Sequence, residues 1–373
     1  MKDFAKHIPI TSLCFIAAIG IGTPAESVRA QAERPPDEAK KVAAQEKAAE
    51  RAKLSEKFYS SLDPLEMTLT TNIKRIRNDK ADKAPWRPAT LTFTDATGKQ
   101  HAIPMRIRTR GIWRLKNCEF PPLRLNFRNE ETKGTILEGV DKPKLVNYCQ
   151  DRPQFKELIM QEMQLYRIYN LLTPVSHRAR LVKVNYVDSA SGKVHTSQMA
   201  MFVEEPEVMA ARLGGPLVEE KGATPDHLVA SQDVLAGVFQ YFIGNTDWST
   251  FALHNVELIR QPDGSYLPVP YDFDFSGAVN APYATVDPKL SVQRVRDRLY
   301  RGFCYPEEEY TKAFTLFNEK KDAIYALYRD PIGNLMDKRT VEETLKYFDE
   351  FYKTINDSRR ARREIIENCT KIQ

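Results

Sequence analysis

Residues 245–274 read NTDWSTFALHNVELIRQPDGSYLPVPYDFD. VELI and YLPVP are apolar, strand-like runs, and Pro262-Asp263-Gly264 between them is turn chemistry, so the stretch reads as a β-hairpin. A hairpin brings its outer ends together, so Asp247 and Asn255 at its start lie near Asp272 and Asp274 at its finish. One reading of these polar residues is ordinary turn and cap chemistry. The other is a set of oxygen ligands converging on a hard divalent cation such as Mg²⁺, with phosphate oxygens completing the shell. The hairpin interrupts a helical region. DHLVASQDVLAGVFQYFIG (226–244) is apolar enough for a buried helix, and two charged helices are expected near 306–328 and 338–368.

Upstream the texture is different. LEMTLTTNI (65–73), ATLTFTD (89–95), HAIPMRIRTRG (101–111) and PPLRLNF (121–127) alternate apolar and polar residues, and DATGK (95–99) reads as a turn between two of them. KPKLVNYC (142–149) closes this antiparallel β region. The period then switches: Phe155, Leu158, Ile159, Met163, Tyr166, Tyr169 and Leu172 fall at helical spacing, and Pro174 ends the run. RARLVKVNYVD (178–188) and HTSQMAMFVEE (195–205) return to strand texture. The expected organisation is a leader at 31–63, a β-rich half with one long helix at 64–205, and a helical half holding the hairpin at 206–373.

The chain has 373 residues, 42% hydrophobic and 28% charged, which supports a globular core. A net charge of +5 over this length gives no case for a nucleic-acid partner. Lys2 and Lys6, the apolar run IPITSLCFIAAIGIG and the small residues Ala30 and Ala32 have the layout of a secretory signal peptide, placed at 1–30. The run is short for a membrane span of about 20 residues, and no other stretch suits one, so no transmembrane span is expected in the mature chain. Export, to the periplasm or the outside, fits the cysteines. Beyond Cys14, four remain, and of three possible pairings chain proximity favours Cys118–Cys149 and Cys304–Cys369. Residues 33–57 are rich in Ala, Lys and Glu and read as a solvated helix or flexible leader.

NTDWSTFALHN followed by YDFDFSG resembles the CotH family of spore-coat-type atypical kinases, over about 106–302. The resemblance implies an α+β, two-lobed protein-kinase-like fold with a β-rich N-lobe and a helix-rich C-lobe. It implies a phosphotransferase using ATP or another nucleotide with Mg²⁺ or Mn²⁺, acting on a protein or small-molecule acceptor. Carried over, Asp247 is the catalytic-loop acid, and Asn255, Asp272 and Asp274 are the metal ligands. Arg110 and Arg124 match its basic strand segment, Lys144 is the candidate to hold the nucleotide phosphates, and Glu162, or else Glu157, is the candidate ion-pair partner of Lys144. MFVEE would be the segment joining the lobes. Two other readings stay open: a non-catalytic scaffold or surface-binding protein with the same fold, and a metal-dependent phosphoesterase using the same acids. Arg108, Arg110 and Arg114 are either a phosphate-binding set or an exposed face.

Overall fold

The structure is a computed structural model that describes residues 36–371 apart from residue 82. The expected signal peptide and the first residues of the leader lie outside the described residues. From Lys41 onward the described residues form one compact unit, which holds every strand and helix except the start of the first helix.

Seven strands close on themselves. In chain order they are β1 (Leu65–Thr71), β2 (Arg87–Thr94), β3 (Gln100–Thr109), β4 (Leu123–Asn126), β5 (Lys144–Val146), β6 (Ala179–Asp188) and β7 (Val194–Val203). Around the barrel they run β1-β2-β3-β4-β5-β7-β6, every neighbouring pair antiparallel except the closing pair β1–β6, which is parallel. This overturns the two-lobed protein-kinase-like fold expected from the resemblance: a closed barrel stands where an N-lobe β-sheet was anticipated. The physical reason lies in the strand faces. Leu69, Leu91, Ile107, Leu125, Leu145, Val182 and Phe202 all point to one side of their strands and are buried together. Joining β1 to β6 encloses that side from all directions and removes both sheet edges. The same alternation leaves Thr68, Thr70, Thr90 and Thr92 on the outer face.

The helices are α1 (Pro36–Leu54), α2 (Glu56–Ser60), α3 (Ile73–Asn78), α4 (Trp113–Asn117), α5 (Asn129–Thr132), α6 (Leu158–Leu172), α7 (Pro206–Arg212), α8 (Ala230–Ile243), α9 (Glu307–Ala326), α10 (Lys338–Ile355) and α11 (Ser358–Ala361). From Pro36 the described part of the leader is largely helical, and its last turns are not solvated all round: Ala48 and Ala52 are buried, as are Phe58 and Tyr59 just beyond. α6 lays Met163, Tyr166 and Tyr169 into a second core that it shares with α8, α9, α10 and the outward residues Val146, Leu181, Met201 and Val203. α8 is buried continuously from Gln232 to Ile243 and stops at Gly244, whose φ of 65° is the left-handed conformation that ends a helix. The single helix expected over 338–368 is broken at Asn356, and Asp357 caps α11 by accepting from the N–H groups of Arg359 and Arg360.

The hairpin is present. β9 (Val256–Arg260) and β10 (Tyr266–Pro270) pair antiparallel, and a short strand, β8 (Leu217–Val218), adds to β9. Both expected disulfides form, Cys118–Cys149 and Cys304–Cys369. Two disulfides fit an exported protein. Among the described residues no helix is long and apolar enough to cross a membrane.

Candidate functional site

The hairpin ends close as the sequence requires, with Tyr271 N–H donating to Asn255 O at 3.0 Å. Asn255 Nδ2 donates to the Asp247 main-chain oxygen at 2.7 Å and to its Oδ2 at 3.1 Å. The other carboxylate oxygen meets His254 Nε2 at 2.8 Å. Asp247, His254 and Asn255 are thus one hydrogen-bonded unit. Leu253 and Asn255 both have positive φ, 48° and 52°. For Leu that conformation is strained, so the loop around His254 is held by its surroundings.

Asp272 also has a positive φ, 62°, and its N–H donates to Tyr166 Oη of α6 at 3.0 Å. The turn sends Phe273 into the helical core and aims Asp274 at α6 and α4. Asp274 is buried, accepts from Tyr283 Oη at 3.0 Å and has Arg114 Nη1 at 3.9 Å. Glu162 of α6 is also buried, and its Oε1 has no hydrogen-bond partner. Burial, then repulsion from Asp274 and Asp272, pushes the Glu162 carboxyl well above its ordinary range. Burial and Asp272 push Asp274 up to about 7. Glu162 and Asp274 therefore crowd each other, with Asp272 acting on both, in a place that disfavours the charge of these two, the condition under which a carboxylate binds a cation or a proton. Among the described residues, however, no three His, Cys, Asp or Glu side chains are drawn into metal-ligand spacing.

The cations come from the barrel. Arg124 on β4 sits directly opposite Lys144 on β5, and Arg108 on β3 opposite Arg124. Arg110 follows two residues along, its backbone N–H bonded to Pro122 O at 2.9 Å. Burial lowers the Lys144 ammonium below its usual value, and Arg110 and Arg124 push the same way against Glu257 and Asp272. The expected pairing of Lys144 with Glu162 is not seen, nor one with Glu157, whose Oε1 accepts from Asp337 N–H instead. Lys144 Nζ lies 3.9 Å from Glu257 Oε1 and 4.4 Å from the Tyr271 ring centre. Glu162 belongs with the acids of the hairpin end, where Arg114 is the nearest cation acting on it.

Three contributors escaped the sequence reading. Glu257 is a polar residue in a strand with Val256 and Leu258 buried to either side, which is also how a solvent-facing residue looks. Yet it accepts from the buried His177 Nε2 at 2.8 Å. Burial opposes its charge, but His177 and Lys144 outweigh it and hold its carboxyl below the ordinary range. His177 follows the end of α6 without any motif around it. His254 stands beside Asn255 in the hairpin sequence, and only the hydrogen bond reveals its link to Asp247.

At the end of the segment MFVEE the backbone is engaged, Glu204 N–H donating to Arg178 O at 2.9 Å and Glu205 O accepting from Met209 N–H at 2.9 Å. Glu204 and Glu205 turn into ion pairs with Arg178, Arg212 and Arg51. No protein-family model matches the chain, and no curated protein matches it.

Proposed function

We propose that the chain is an exported, metal-dependent phosphotransferase with a nucleotide as donor, working in the periplasm or outside the cell. The observation that carries this reading is the meeting of two like-charged groups, Arg110, Arg124 and Lys144 on the barrel and Asp272, Asp274 and Glu162 at the hairpin end and α6, with Asp272 acting on Arg110 and Lys144. Like charges opposite one another in a sheet are destabilising, and so are crowded buried acids. A phosphate chain on the first group and a Mg²⁺ or Mn²⁺ ion on the second relieve both. The acids suit a hard cation because all are oxygen donors, one with an unpartnered buried oxygen. When bound, the ion supplies neutralisation of phosphate charge. Arg110 and Lys144 orient the donor. Asp247, fixed on one side by Asn255 and on the other by His254, aligns the acceptor hydroxyl. The resemblance of NTD…N…YDFD to the CotH family supports the same chemistry.

The test is the melting temperature with and without ATP, in Mg²⁺ and in Mn²⁺. A ligand at 100 times its dissociation constant adds about 2.7 kcal/mol. Asp272→Asn is the variant to use, because Asn tolerates the positive φ of that position and Ala does not. A metal-requiring shift in the parent, lost in Asp272→Asn, is expected. No shift with either metal overturns the reading and favours the second one, a non-catalytic scaffold or surface-binding protein. That alternative draws on the Asp247 unit, whose carboxylate is already satisfied on both oxygens as a hairpin clasp would be.

A further inference from the structure

Strand β3 buries Ile103, Met105 and Ile107 in the barrel and turns Arg106 and Arg108 outward. Arg110, half-buried, follows just past the end of β3. Across the sheet the row broadens, since Arg108, Arg124 and Lys144 are in register on three adjacent strands. Stacking such charges side by side is unfavourable without an anion between them. Among the described residues Glu257 answers Lys144 at the β5 end of the row, while Asp79 is engaged with Arg87, Glu119 with Arg77 and Asp274 with Arg114, which leaves the β3 and β4 arginines without a paired acid. The outer two guanidinia are nevertheless held in place. Those of Arg106 and Arg108 lie 5.9 and 4.7 Å from the centre of the Trp86 ring. Past Arg106 the face continues into a cavity of about 530 Å³ whose wall includes Asn126 and Arg128.

We propose that the outer face of β3 and β4 binds an extended acidic peptide segment, its acidic side chains lying along the arginine row and its end reaching Arg110. Alternate residues of a strand recur every ~6.6–6.8 Å on one face, and alternate residues of an extended peptide recur at the same interval. A peptide with an acid at every second position therefore meets Arg106, Arg108 and Arg110 in step. A single-stranded nucleic acid needs open aromatic faces for its bases, and the Trp86 ring is taken by Arg108. At its Arg110 end the row is bounded by Asp272, whose charge acts on Arg110. The role of this face as an acceptor track rests on the phosphotransferase reading; its existence as a binding face does not.

The experiment is fluorescence anisotropy of the full chain with a labelled peptide carrying Glu at every second position, and with its Gln counterpart. The Glu peptide is expected to bind, more weakly as salt rises, and the Gln peptide is not. Arg106→Ser combined with Arg108→Ser weakens binding about fivefold to tenfold, the sum of two exposed ion pairs. Arg106→Glu with Arg108→Glu is expected to take the matching Lys peptide instead, a gain that misfolding does not produce. Asp272→Asn retains peptide binding while losing any metal-dependent ATP shift, which separates this inference from the proposed activity. Equal binding of Glu and Gln peptides, or an unchanged affinity in the double Ser variant, overturns the inference. So does tighter binding of oligodeoxythymidylate or inorganic polyphosphate than of the Glu peptide at the same salt.

Discussion

Two buried charge clusters of this molecule differ in kind: one is closed and the other is open. The closed one is built on Glu204 and Glu205. Glu204 is fully buried, and Arg178 reaches its Oε1 at 2.6 Å while Arg212 reaches its Oε2 at 2.9 Å. Glu205 accepts from Arg51 and from the backbone N–H of Lys142 at 2.7 Å. Arg178 also donates to Ser55 Oγ at 3.2 Å. Burial opposes the charge of Glu204, but Arg212 and Arg178 outweigh it and hold its carboxyl below the ordinary range. In the open cluster Glu162 keeps an unpartnered oxygen and no guanidinium hydrogen bond, and burial pushes its carboxyl up; burial raises Glu205 too, but there Arg51 and two backbone N–H groups answer it. A satisfied buried network specifies architecture, whereas an unsatisfied one keeps bonding capacity for an ion or ligand.

The difference is open to direct attack. Arg178→Met strips Glu204 of one of its two guanidinium partners and leaves a buried charge short of compensation. It is expected to lower unfolding stability by about 3–5 kcal/mol in urea titration. Glu162→Gln removes a carboxyl that the fold already disfavours as an anion, and is expected to change stability by less than about 1 kcal/mol or to raise it. A loss as large as that of Arg178→Met would erase the distinction between the clusters. A separate test concerns Asp233, a buried acid in neither cluster, which accepts from Tyr305 Oη at 3.1 Å and Thr250 Oγ1 at 3.3 Å. Burial pushes its carboxyl up to about 6. The folded chain therefore holds this proton more tightly than the unfolded chain, whose carboxyl titrates near ~4. The resulting stabilisation is complete below that value and is lost as pH rises through about 6. Melting temperatures of the parent should fall between pH 5 and 7 relative to those of Asp233→Asn; parallel curves would remove Asp233 as the cause.

Local pattern carried most of the elements. The alternation in LEMTLTTNI, ATLTFTD and HAIPMRIRTRG became β1, β2 and β3, and the helical spacing from Leu158 to Leu172 became α6. The hairpin and both disulfides followed from turn residues and chain proximity. The closure of the barrel did not. Period-two alternation says which side of a strand is apolar, and that signal is the same for an open sheet and a closed one. Only the register of Leu65 with Val182 distinguishes them. At the site, the cluster of Asp247 with Asn255 was legible because both lie in one hairpin. The partner of Lys144 was not, because Glu257 and Lys144 are far apart in the chain and meet only through the packing of two sheets.

The parallel pair β1–β6 also fixes the order in which the molecule comes into being. β1 through β5 acquire neighbours one after another, each close in sequence to the last. Cys118 and Cys149 are 31 residues apart and can join within that early segment. The edge of β1 stays bare until β6 exists, because Leu65 waits for Val182. Contacts of such long reach slow folding, since the loop must close before they reward it. A chain emerging N-terminus first therefore passes through an interval in which a half-built barrel exposes a strand able to stick to another copy. The final strands end that interval, and the finished barrel has no edge left to offer.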